Sequence, residues 1–184
     1  MNHKPLTPDF DASAGTPSQA AIGAFFRTAL EDNAAALRDA LEVYPVLIEW
    51  KDPNTQSTAL ILAAKAGNAK AVGALLESGA DIRAVDAAAM NALCYAAYYG
   101  YHDACLLLIR AGADPAERGR HGMSALTCAV AGDFPSLAER LERDAAEYRR
   151  DMRAGWEGAA VDMGTAKAFQ PLKKLSLKIK PPQV

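Results

Sequence analysis

The stretch Thr58-Ala59-Leu60-Ile61-Leu62-Ala63-Ala64 decides the fold, because it returns as Asn91-Ala92-Leu93-Cys94-Tyr95-Ala96-Ala97 and again as Ser124-Ala125-Leu126-Thr127-Cys128-Ala129-Val130, each copy 33 residues after the last. A second phrase, Gly79-Ala80-Asp81, returns at the same spacing as Gly112-Ala113-Asp114. Each copy of the first phrase opens on Thr, Asn or Ser and continues as a short helix of small apolar residues. A glycine turn follows, then a second apolar helix carrying Leu75-Leu76 or Leu108-Ile109, then the Gly-Ala-Asp turn. One such helix pair has too little apolar face to fold alone. Neighbouring pairs must bury it together, which makes the chain a one-dimensional stack.

Working outward, Thr58 to Gly67 and Asn91 to Gly100 both span nine steps, whereas Ser124 to Gly132 spans eight. This spacing predicts the loss of one residue in the turn of the last unit. Val72, Leu75 and Leu76 correspond to Cys105, Leu108 and Ile109. With a step of 33 or 32 they continue to Ala138, Leu141 and Glu142 or to Leu137, Arg140 and Leu141. In either register polar residues enter the last unit, as expected of a capping unit with a wet outer face. Its second helix is long, since Leu137, Leu141, Ala145, Tyr148 and Met152 form one stripe.

Before the faithful copies, Thr16-Pro17-Ser18-Gln19 predicts a capping box with Pro at the first helical position. Ile22, Phe25, Phe26, Ala29 and Leu30 then fall on one helix face. Asn33 is expected to cap a second helix through Leu37 and Leu41 that ends near Tyr44-Pro45, the two forming a degenerate first unit. The Pro-, Asp- and Ser-containing residues 1–15 are expected to be disordered. Gly155, Gly158 and Gly164 are expected to break the long helix, and Leu175-Ser176-Leu177-Lys178-Ile179-Lys180 alternates as an extended segment does. The expected organisation is a disordered segment over 1–15, a repeat domain over 16–153, and a glycine-containing linker with a basic extended tail over 154–184.

The phased phrases resemble the ankyrin repeat over about residues 20–150. The resemblance implies an all-α, ankyrin-type helical solenoid of about four repeats with a long C-terminal capping helix. The family's Thr-Pro-Leu-His phrase is only partly kept, with Ile61, Cys94 and Thr127 in the His place. The turn glycine expected before the phrase is Gln56 and Ala89 in the second and third repeats and Gly122 only in the fourth. Those two turns are therefore expected to be reshaped.

Composition narrows the function. A chain of 184 residues, 51% hydrophobic and 23% charged, suits one soluble globular domain. A net charge of −2 lacks the basic footprint of nucleic-acid binding. From Met163 onward there are five lysines and no acid, so residues 1–162 hold 15 basic and 22 acidic side chains. Cys94, Cys105 and Cys128 lie within apolar helical phrases and are odd in number. This fits a reducing, cytoplasmic location, and Met1 to Pro17 shows no secretory h-region. The most apolar window, Ala92 to Ile109, is interrupted by His102 and Asp103 and follows the repeat, so no membrane span is expected.

No metal-ligand spacing, phosphate loop, dinucleotide fingerprint or nucleophile elbow is found, so neither catalysis nor a cofactor is expected. Ser124 reads as a helix cap. The resemblance implies binding of a protein partner by the hairpin tips and the exposed side of the first helices. Carried over, that surface includes Trp50, Met90, Tyr98, Tyr99, Arg118, Arg120, His121 and Met123, residue types enriched in interface cores. The partner is expected to be an enzyme or toxin that the protein sequesters or inhibits, as an immunity protein would, with the free protein monomeric. The alternative is an adaptor or effector linking two partners.

Overall fold

The computed structural model describes residues 17–119 and 121–160. Within them α1 spans Gln19–Leu30, α2 Ala34–Val43, α3 Ala59–Ala66, α4 Ala69–Glu77, α5 Ala92–Tyr98, α6 His102–Arg110, α7 Ala125–Ala131 and α8 Pro135–Ala160, with a 3-10 turn over Pro45–Glu49. Among the described residues there is no strand, only an isolated antiparallel bridge between Val85 and Asn91. Residues to Tyr148 form one compact unit, and those from Arg149 a second whose described part is the end of α8.

The first helix of each of the second, third and fourth repeats begins on a capping side chain. Thr58, Asn91 and Ser124 accept the amide protons of Ile61, Cys94 and Thr127 at 3.5, 2.8 and 3.3 Å, satisfying N–H groups that a helix start leaves unpaired. The second helices end alike. Gly79 and Gly112 turn left-handed at φ 90° and 103°, and the amides of Ala80 and Ala113 donate to Leu75 and Leu108 carbonyls at 3.0 Å. Asp81 and Asp114 then hold the turn by accepting the amides of Arg83 and Ala116 at 2.9 Å.

The stack is made by first helices lying on first helices. Ala63, Ala96 and Ala129, one per repeat, have no exposed surface, and Leu60 and Leu93 keep 1% each. Small residues here let consecutive helices approach closely. Behind them Leu75, Leu108 and Leu141 form the matching row in α4, α6 and α8, all buried. The next unit also covers the turn of the one before it. The Tyr101 ring lies where a Cβ on Gly67 would come within 2.7 Å, and the Phe134 ring covers Gly100 in the same way. At the matching position Asn68 donates to the carbonyls of both Ala29 and Leu30 at 2.8 Å, capping the end of α1.

Four expectations need correcting. The last unit has lost no residue: Asp133, nine steps after Ser124, takes the left-handed conformation (φ 65°) that Gly67 and Gly100 take, while Gly132 stays right-handed. The amide bonds of Asn68, Tyr101 and Phe134 to Ala63, Ala96 and Ala129 keep the step of 33. The second-helix row therefore continues as Ala138, Leu141 and Glu142. The turns before the second and third repeats are not reshaped either, since Gln56 and Ala89 both adopt φ 57° beside Gly122 at 73°. Ser18, not Thr16, caps α1 by accepting the Ala21 amide at 3.1 Å, so the helix starts after Pro17 rather than on it. The second helix ends near Tyr44-Pro45 as expected, and the first unit then closes with a 3-10 turn, because Pro45 fixes φ and cannot supply the glycine's left-handed turn. Finally, α8 runs through Gly155 and Gly158 to Ala160, where the surrounding Ala and Glu residues favour helix enough to absorb about 1 kcal/mol per glycine.

Asn33 caps α2 as expected, accepting the Ala36 amide at 3.1 Å. In α8 Leu137, Leu141 and Ala145 are buried, and the side chains of Tyr148 and Met152 lie outside the described residues. So do the segments 1–15 and 161–184, which include Gly164 and the alternating stretch 175–180.

Leu108 is fully buried between units, and Leu108→Asp places an unpaired charge there, so it should cost more than about 3 kcal/mol and abolish cooperative thermal unfolding near the parent temperature. Ala89 bears a Cβ at φ 57°, a conformation that disfavours Cβ by about 1–2 kcal/mol. Allowing for the greater unfolded-state entropy of glycine, Ala89→Gly should raise stability by about 0.5–1 kcal/mol in urea melts. Gly122→Ala should lower it by a similar amount.

Candidate functional site

The surface that the repeats leave free has two ends, set by the length of the first helices. At their N-terminal ends are the hairpin tips. Asp86 organises the central one, its Oδ1 accepting the amides of Ala88 and Met90 at 2.9 and 3.1 Å. Its Oδ2 accepts the hydroxyl of Tyr95 at 2.6 Å. Asp52 organises the tip before it through the amide and hydroxyl of Thr55, and these hold its carboxyl below the usual range, the hydroxyl most. The two tips are joined by the Ala87 amide donating to the Thr55 carbonyl at 3.1 Å and by Lys51 Nζ donating to the Val85 carbonyl at 3.0 Å.

Along the side of the first helices, Lys65 Nζ lies 5.1 Å from the centre of the Tyr95 ring, so a cation, a ring and a carboxylate follow one another from one repeat to the next. Burial, and then the neighbouring Asp86 carboxylate, push the Tyr95 hydroxyl's pKa up, which keeps it protonated and donating.

At the C-terminal end of α5 the sequence-derived residues Tyr98 and Tyr99 are each 41% exposed, their rings edge to face at 5.2 Å. Tyr101, which the sequence reading missed, stands beside them with its ring 6.0 Å from that of Tyr99. It sits at the start of the next helix, where repeat phase marks a turn. The signal that could have found it is three tyrosines within four positions.

The other expected residues lie at the hairpin end. Met90 and Met123 are half-buried and rest on the core, as does Trp50 at the end of the 3-10 turn. Stacking thus accounts for part of their bulk. Arg118 and His121 are exposed at the last hairpin, whose Gly119 amide donates to the Met123 carbonyl at 2.8 Å. Arg120 lies outside the described residues. The structure therefore brings Tyr98 and Tyr99 together and separates them from Met90 by the length of α5, about 10 Å at 1.5 Å per residue.

Among the described residues no group of three or more His, Cys, Asp or Glu is placed to hold a metal ion. No helix among them is long and apolar enough to cross a membrane.

Residues 33–119 match the family model for ankyrin repeats, three copies. The matched stretch is an array of ankyrin repeats, and such an array is a protein–protein interaction module. Proteins of this kind are generally non-catalytic.

The bond from Tyr95 to Asp86 ties helix to hairpin. Tyr95→Phe keeps the ring and the Lys65 contact but removes a hydrogen bond to a charged acceptor, worth about 1.5–3 kcal/mol. Chemical melts should show a loss of that order, and faster amide exchange at Ala88 and Met90. An unchanged midpoint would mean that Asp86 is held by its backbone donors alone.

Proposed function

We propose that the array binds a partner protein with Tyr98 and Tyr99 as the central anchor, extended by Tyr101. In this reading Trp50, Met90 and Met123 shape the hairpin end of the same surface, flanked by Arg118, Arg120 and His121. The partner is an enzyme or toxin whose working surface the array covers, so that binding sequesters or inhibits it in the cytoplasm, and the free protein is a monomer. The observation that carries this reading is the cluster of three exposed tyrosines, of which Tyr98 and Tyr99 stand at positions that the repeat phase leaves free of stacking. Amphipathic rings grouped this way supply large, rigid contact area to a partner.

The three cysteines, free and buried, are compatible with a reducing compartment. An aromatic anchor at the centre of an interface typically contributes about 2 kcal/mol or more, roughly a thirtyfold change in affinity. The double variant Tyr98→Ala/Tyr99→Ala should keep the parent melting curve yet bind the partner captured from the native host at least thirtyfold more weakly by calorimetry. Affinity within twofold of the parent would overturn the anchor. Adding the array to the captured partner in equimolar amount should suppress that partner's activity. A tight complex with undiminished activity would instead favour an adaptor.

A further inference from the structure

Cys94 on α5 and Cys128 on α7 are buried and free, and neither belongs to the binding surface. Their placement is set by a close approach of the two helices. A Cβ on Gly132 would collide with the carbonyl oxygen of Tyr98, so the two helices approach there main chain to main chain. One helical turn earlier on each side, four residues back, stand Cys94 and Cys128. Residues four apart share a helix face, so the two thiols face the same seam, near enough for each to shift the other's ionisation. The earlier repeats carry Ala66 and Tyr99 where the last has Gly132. The closeness therefore belongs to the α5–α7 pair.

The seam also lies at the end of the stack. Ala64 and Ala97 are fully buried beneath the next unit, but Val130, at the matching position of α7, is 67% exposed. In a one-dimensional stack the terminal unit opens most readily, which admits small reagents to a seam that is closed on average.

We propose that Cys94 and Cys128 are a peroxide-oxidisable pair whose disulfide clamps the last repeat to the one before it. The thiolate of Cys128 attacks one oxygen of hydrogen peroxide, forming a sulfenic acid and releasing hydroxide, which takes up the proton Cys128 gave. The sulfur of Cys94 then attacks the sulfenic sulfur, its proton leaving with the hydroxyl as water. Two thiols and one peroxide give one disulfide and two waters. The pair divides these roles unequally. Contact with Cys94 holds the Cys128 thiol below its usual pKa, while the same contact and then burial push Cys94 up. Cys105, on α6, is pushed up to about 12 by burial, which disfavours its thiolate.

The test treats the full-length protein with hydrogen peroxide, sequences the unreduced linked peptides by fragmentation, and follows the melting temperature. We expect a monomer lighter by two hydrogens, with Cys94 joined to Cys128. The melting temperature should rise by about 5–10 °C, as for a bond closing a loop of this length, and dithiothreitol should reverse the rise. Cys105→Ser should react as the parent does, while Cys128→Ala, which keeps a small apolar side chain, should lose both the link and the shift. A link through Cys105, covalent dimers alone, sulfinic acid without a link, or thiols that survive treatment would overturn the proposal.

Discussion

Everything in this array depends on how near consecutive first helices can come. Ala63, Ala96 and Ala129 occupy the inner face without any exposed surface, and at such positions a larger side chain would push neighbouring units apart. Once the helices touch, the remaining contacts follow from translation. The leucine row of the second helices meets, each turn is covered by the next unit, and the hairpins of the second and third repeats share a main-chain hydrogen bond. None of these contacts would suffice alone, because each unit supplies only half of every interface it needs.

The period, the capping residues and the second-helix leucines were legible in the sequence because each is a local pattern with one physical meaning. Thr58, Asn91 and Ser124 announce helix starts wherever they precede an apolar run. The errors arose where one residue type was taken as the marker of a conformation. Gly132 looked like the equivalent of Gly67 and Gly100, but Asp133 accepts the left-handed turn and the frame never shifts. Gln56 and Ala89 hide the same conformation under ordinary side chains, since the surrounding hairpin dictates it.

The proposed binding surface was only partly legible. Repeat phase separates positions that face a neighbour from those that do not, which was enough to find Tyr98 and Tyr99. It cannot tell how far a side chain at a hairpin base sinks between units, so Trp50, Met90 and Met123 looked freer than they are. Tyr101 was passed over for the opposite reason: its ring covers Gly67 and joins the exposed cluster as well. A residue with two roles is hard to recognise from spacing that describes one.

The contact made at that position changes chemistry along the chain, from the amide of Asn68 on the carbonyls of α1 to the rings of Tyr101 and Phe134 on the glycines behind them. Burial of ring surface weakens on cooling because its driving force near room temperature is largely entropic. A directional amide-to-carbonyl bond does not share that dependence. Cold thus loosens the aromatic fastenings while leaving the polar one intact, and the least secure joint of the stack shifts toward its C-terminal end as temperature falls.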